Sequence, residues 1–160
     1  MSSGDIPQMV AAGGLALCGG HVLLIRKHGL WDIPKGKVKK KEAHERCALR
    51  EVSEETGLRR KRLRVRQLLC RTSYISYYSG KPFNKTVTWF LLDYDGEISD
   101  PLRPDLSEDI DLCEWVEIDD LLDNLDAGRP YLRAVRKTVS ESLHLLRQAP
   151  LDERAGYAAS

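Results

Sequence analysis

Apolar positions run almost unbroken through LALC and HVLLI (residues 15–18 and 21–25), with only Gly19-Gly20 between them. Two short apolar runs joined by a Gly-Gly pair predict core strands linked by a two-residue hairpin. WDIPKGKVKKK follows, and Pro34 and Gly36 mark it as a loop. The period then changes. Ala48, Leu49, Val52 and Thr56 fall on one arc of a helical wheel, predicting a helix from about Glu42 to Thr56 that Gly57 closes. RLRVRQLLCRTSYIS alternates at its start, with Arg62, Arg64 and Arg66 on one face and Leu63 and Val65 on the other, predicting a strand with one basic face. KTVTWFLLDYD, β-branched and aromatic, predicts a further strand ending in a turn at Asp95-Gly96.

An acidic loop, SDPLRPDLSED, leads to a short strand around CEWVEI and a small helix, DDLLDNL. Leu132, Val135, Val139, Leu143 and Leu146 then recur at helical spacing, a stripe suited to packing on a sheet or, as the second option, to a dimer seam. Strands, helix, strands and helix in that order predict one mixed α/β domain over residues 1–148, with 149–160 as a flexible tail and the protein a monomer or homodimer.

The first helix contains a local conflict. REVSEETG (50–57) crowds Glu51, Glu54 and Glu55 within five positions at its end. Glu51 and Glu55 repel at i,i+4, and all three acids meet the negative end of the helix dipole. On the wheel they span an arc of roughly 100° beside the core-facing arc, not opposite it as a solubilising face would. Arg50 can pair with Glu54 one turn on, but one guanidinium cannot neutralise three acids. Oxygen-only ligands this close suit a hard divalent cation, Mg²⁺ or Mn²⁺, and Mg²⁺ usually shares its shell with water and substrate phosphates. A solvated Glu-rich helix is the plainer alternative.

Charge sharpens this. Residues 1–90 hold 18 Lys/Arg against 7 Asp/Glu, and residues 91–160 hold 7 against 17. A basic half suggests an anionic partner, or two halves that attract each other. Cys18, Cys47, Cys70 and Cys113 form no CxxC pair, and the four histidines have no zinc spacing, so buried reduced thiols in a cytoplasmic protein are expected. MVAAGGLALCGGHVLLI is apolar but contains four glycines and a histidine and lacks a preceding basic residue. It therefore reads as neither a signal peptide nor a membrane span.

The stretch GKVKKKEAHERCALREVSEETGL carries a resemblance that covers most of the chain. Gly36, Glu42, Arg50, Glu51, Val52, Glu54, Glu55, Gly57 and Leu58 match the signature of the Nudix hydrolases without a departure. The resemblance implies an α/β/α sandwich around a mixed sheet, with the signature forming a loop–helix–loop. It implies Mg²⁺-dependent cleavage of a phosphoanhydride in a nucleoside diphosphate linked to another group. By position, Glu51, Glu54, Glu55 and the Lys35 carbonyl would be metal ligands. Arg50 would hold the glutamates, Glu42 would support the helix start or the outer metal shell, and Gly36 and Gly57 would allow the turns. The general base would be Glu51 or an acid on a distant loop, for which Glu108 or Asp109 is the candidate; an ordinary exposed loop acid is the alternative.

Substrate clues lie outside the signature. WDIPKGK resembles the loop of diadenosine polyphosphate hydrolases and some decapping relatives, where lysines meet phosphates, here Lys35 and Lys37. TSYISYYSGKPFNKTVTWFLL resembles a segment of the diadenosine tetraphosphate and diphosphoinositol polyphosphate branches. It implies a phosphate contact for Lys85 and a base or phosphate contact for Tyr77 or Tyr78. Arg26 is a phosphate contact by the same analogy. LRRKRLRVR either attracts a polyphosphate or is a solvated edge. The expected substrate is a dinucleoside polyphosphate. Alternatives are diphosphoinositol polyphosphates, RNA 5′ ends or nucleoside triphosphates, and a non-catalytic Nudix-like binding domain is the reading of another class.

Overall fold

The computed structural model describes residues 5–150. The tail expected over 149–160 therefore lies almost entirely outside the described residues. In chain order the elements are β1 (Gln8–Cys18), β2 (His21–Lys27), β3 (Leu30–Asp32), β4 (Lys35–Lys37), α1 (His44–Thr56), β5 (Leu63–Tyr78), β6 (Lys81–Tyr94), β7 (Ile110–Glu117), α2 (Ile118–Asp126), α3 (Leu132–Glu141) and α4 (Leu143–Leu146). The main sheet has the order β3-β2-β1-β6-β5, with β4 added to β1 and β7 to β2. Only β1 and β6 run parallel among these pairs, so the sheet is mixed.

The strands that read as continuous apolar runs are the ones covered on both faces. Ala11, Leu15 and Leu17 of β1, Val22 and Leu24 of β2, and Val87, Trp89 and Leu91 of β6 point into one core. Their alternates Ala12, Ala16, Leu23, Ile25, Phe90 and Leu92 point into the other. The first core is closed by α2, α3 and α4 through Leu121, Leu125, Leu132, Val135, Val139 and Leu146. The second is closed by α1 through Cys47, Ala48, Leu49 and Val52. This is the three-layer α/β/α arrangement, and the late leucine–valine stripe lies inside it. Ser142, at φ −122° and ψ 15°, divides that stripe into α3 and α4, a break the spacing did not predict.

Gly19 and Gly20 form the expected tight turn, both with positive φ (51° and 76°). The β5–β6 region differs from expectation. Both strands are longer and pair directly as a hairpin through Ser79-Gly80, with Pro82 opposite Tyr77. Proline is tolerated there because the parallel pairing with β1 begins only at Asn84. Register shifts between Val65 and Gln67 and between Leu68 and Cys70 break the alternation of β5. The expected row of three arginines is consequently divided. Arg66, with its side chain only 3% exposed, donates to both oxygens of Asp93 at 3.0 and 3.1 Å and to the Leu145 carbonyl at 2.6 Å. Among the described residues no helix is long and apolar enough to cross a membrane.

Candidate active site

The acids of α1 are arranged around Arg50. Its guanidinium donates to Glu42 at 2.8 and 2.9 Å, to Glu51 at 2.8 Å, to Glu54 at 3.2 Å and to the Lys37 carbonyl at 3.1 Å. Hydrogen bonds from Arg50 hold the Glu42 carboxyl at about 2, well below the usual carboxylate range. Glu42 also accepts from the Lys39 N–H at 3.0 Å, which shapes the turn entering the helix. At the other end Gly57 takes φ 82°, the left-handed C′ conformation, and its N–H bonds the Ser53 carbonyl. No basic residue occupies the last turn of α1. The helix itself thus supplies no cation to its negative end, the conflict expected from the sequence.

Glu55 takes no bond from Arg50. It is 4% exposed and accepts the Lys35 N–H at 2.9 Å. Burial, reinforced by the Glu51 charge, pushes its carboxyl up to about 8 although Lys35 and Lys27 pull the other way. Burial also raises Glu51, with Glu54 and Glu108 adding repulsion and Arg50 opposing. For Glu51 and Glu55, the nearby cations do not offset the cost of burial.

β4 brings the loop to the helix. A Cβ on Gly36 would lie 2.1 to 2.4 Å from the Glu51 carboxylate, so only glycine leaves room for that side chain. The Gly14 N–H donates to the Pro34 carbonyl and the Val38 N–H to the Val10 carbonyl. By the alternation of an antiparallel ladder, Lys35 opposite Gly13 is then a non-bonded position. Its N–H and C=O turn away from β1, toward the side where Glu55 sits.

Beside the carboxylates opens a cleft of about 680 Å³, lined by Lys27, Lys35, Lys85, Arg129 and the tyrosines 74, 77, 78 and 131, with Asp32 at its floor. Lys85, though 8% exposed, donates to the Tyr78 hydroxyl at 2.8 Å. Burial works to raise the Tyr78 phenol, but the Lys85 ammonium outweighs it and holds the phenol below its ordinary value. Tyr77 stands at the rim, 68% exposed. Tyr74 and Tyr131 meet with ring centroids 4.4 Å apart.

The acidic loop reaches the site through a 3₁₀ turn at Leu106–Glu108, capped by Asp105 accepting from the Ser107 N–H. Two ion pairs, Lys27–Glu108 at 3.7 Å and Arg26–Asp111 at 3.1 Å, and a His28–Asp109 contact at 3.6 Å tie it to the end of β2. Together with Arg66–Asp93, these contacts join the basic half of the chain to its acidic half. Glu108 comes near enough to Glu51 to perturb its ionisation. Arg26 is committed to Asp111 and does not line the cleft. Lys37 is exposed and also outside the lining, and its carbonyl rather than its ammonium contributes, as an acceptor for Arg50. Asp32, Tyr74, Arg129 and Tyr131 were not anticipated. The aspartate is one position after Trp31 in the quoted loop and Tyr74 stands in the quoted TSYISYY segment, whereas nothing local marks Arg129 and Tyr131.

Among the described residues no three His, Cys, Asp or Glu side chains converge into a ready-made metal cage. Arg50 stands between Glu51 and Glu54 instead. The donor chemistry nonetheless fits a hard cation: two carboxyls, Glu51 and Glu55, whose ionisation is opposed by burial and by neighbouring acids, a carbonyl turned their way, and room for water ligands because Glu54 is half exposed.

The NUDIX domain family model matches residues 7–136. An RNA pyrophosphohydrolase of Gluconobacter oxydans is 31% identical over 100 residues, covering 55% of this chain and 56% of that protein. The chain spans between 20% and 56% of the length of the curated relatives it matches. Among solved structures, the M. smegmatis Nudix hydrolase RenU superposes with a TM-score of 0.68 at 23% identity, covering 89% of this chain and 90% of that one. A C. elegans Ap4A hydrolase superposes with a TM-score of 0.61 at 22% identity, covering 85% and 98%. These two likenesses establish the fold, and the family match, running from β1 through the signature helix into α3, establishes that the chain belongs to the Nudix family.

Proposed function

We propose that the protein is a Mg²⁺-dependent pyrophosphohydrolase that cleaves a phosphoanhydride bond in a dinucleoside polyphosphate such as diadenosine tetraphosphate. The observation that carries this reading is the cleft: tyrosine rings and cations line one space that opens beside buried, repelling carboxylates. Tyrosine faces suit a nucleobase, and Lys27, Lys35, Lys85 and Arg129 suit a chain of phosphates.

Glu51, Glu54, Glu55 and the Lys35 carbonyl would hold the magnesium. When bound, the ion supplies positive charge that acidifies a water ligand and neutralises the phosphates. Glu108 or Glu51 takes the proton as the water oxygen bonds to phosphorus and the bridging P–O bond breaks. Arg50 keeps Glu51 and Glu54 aimed while Glu42 anchors Arg50 from the far side. Lysine ammoniums in the cleft stabilise the charge that gathers on the departing phosphate.

The RNA 5′ end is the second reading, supported by the Gluconobacter relative named for RNA pyrophosphohydrolysis. A cleft closed by tyrosines accepts a terminal nucleotide as readily as a free one. A non-catalytic binding role would leave the carboxylate cluster without a task. The test is a substrate panel of diadenosine polyphosphates, nucleoside triphosphates, inositol pyrophosphates and triphosphorylated RNA, each with and without Mg²⁺. The expected result is Mg²⁺-dependent release of nucleotide, lost in Glu54→Gln. Absence of turnover across the panel refutes the hydrolase, and preference for RNA selects the second reading.

A further inference from the structure

Lys35 is held far more tightly than a lysine lining an open cleft needs to be. Its Nζ donates to Asp32 at 3.0 Å and to the Tyr131 hydroxyl, and that hydroxyl donates in turn to the same Asp32 oxygen. The other Asp32 oxygen accepts the Ile33 N–H at 2.8 Å. The side chains of Lys35 and Asp32 are 10% and 1% exposed. The Tyr131 ring packs on Tyr74 and lies 4.6 Å from the Lys35 ammonium. An ammonium has three protons. Two are engaged here, which leaves one N–H for the cleft, in a direction set by the ring of contacts. The same residue donates its backbone N–H to Glu55. A cation facing the cleft and a signature carboxylate are therefore mounted on one residue, and that residue is braced from the start of α3, nearly a hundred positions away in sequence.

The geometry points to Asp32 and Tyr131 as positioning residues: they fix the Lys35 ammonium so that a bound polyphosphate chain is held in one register against the carboxylates, which sets the phosphorus atom attacked. This rests on the phosphoanhydride chemistry proposed above. A free lysine would follow a phosphate chain as it slid by one unit. A lysine whose ammonium is held by two hydrogen bonds binds one phosphate oxygen at one place, and the neighbouring phosphates fall in line with it.

Two readouts separate this role from a merely structural one. Inorganic tripolyphosphate binding is measured by calorimetry, and the attacked phosphorus is mapped by mass spectrometry of products formed in ¹⁸O-water. Tyr131→Phe keeps both ring contacts and removes only the hydroxyl. The expected result is tripolyphosphate binding weakened by ~10-fold, and label that moves from a single product to a mixture. Asp32→Asn, which keeps the side-chain shape, must shift the same two readouts if Tyr131→Phe folds poorly. Unchanged affinity and unchanged label position in a folded variant overturn the inference, as does a wild-type protein that binds no tripolyphosphate. A wild-type protein that turns over no substrate, yet loses tripolyphosphate affinity on Tyr131→Phe, refutes the hydrolase while leaving the positioning role standing.

Discussion

Replacing Glu55 by Gln should remove a pH dependence from the stability of the metal-free protein. Glu55 is a buried carboxyl raised from 4.5 to about 8, the reverse of the usual ion-paired carboxylate. Between those values the folded state holds a proton that the unfolded chain has lost, so stability falls as pH rises. Across that window the stability lost from pH 5 to pH 7 comes to about 2–3 kcal/mol. Glutamine stays neutral throughout and keeps an oxygen for the Lys35 N–H that Glu55 accepts at 2.9 Å. Lys35, lowered by its own burial despite Asp32, also loses the raising effect of the Glu55 charge in the variant, so the difference between the profiles reads Glu55 together with its interaction with Lys35. Urea unfolding in chelator at pH 5, 6, 7 and 8 measures this. With a slope of about 2 kcal/mol/M, the wild-type midpoint should drop by about 1 M between pH 5 and pH 7 relative to Glu55→Gln. Adding Mg²⁺ at ten times its dissociation constant should return about 1.4 kcal/mol to the wild type at pH 8 and little to the variant. Parallel pH profiles for the two proteins would refute the account of Glu55 as a carboxyl that awaits a cation.

Gly36→Ala should leave the fold nearly intact, because the clash is with the movable end of Glu51, but should abolish turnover as that carboxylate is displaced; melting and activity measured on one preparation check both halves. Arg66→Met strands Asp93, whose side chain is 13% exposed, and should cost about 3–5 kcal/mol in urea unfolding. Adding Asp93→Leu should recover most of that loss, and a double variant as unstable as the single would show that the arginine acts through packing alone.

Much of this molecule is legible because its signals are local. The Gly19-Gly20 turn, the arc of Ala48, Leu49 and Val52, and the C′ glycine at position 57 each depend on neighbours within a turn or two, and each appears where its pattern predicts. The clash of Glu51, Glu54 and Glu55 was legible as well, as an energetic conflict before it had a structural setting. Arg66 was not. A strand period of two assigns it to a solvated face, and the bulges in β5, which no short-range preference announces, turn it inward to Asp93. Arg26 and Lys37, expected by resemblance to meet phosphate, lie off the lining of the cleft, Arg26 paired with Asp111.

Local periodicity was enough for the core strands β1 and β2 and the signature helix, since the forces behind them act over a few residues, and the signature match carried the family and its carboxylates. The stretch WDIPKGKVKKK, expected to be a loop, instead holds the end of β3 and all of β4 because they pair with β2 and β1. The cleft was decided only by tertiary structure. Tyr131 meets Lys35 and Asp32 from across the chain, Lys85 turns to Tyr78 across the β5–β6 hairpin, and Lys27 holds Glu108 from the end of β2. Such contacts form when two layers close on one sheet and burial makes each polar group find a partner, and a pattern read a few residues at a time carries no trace of which partner that will be.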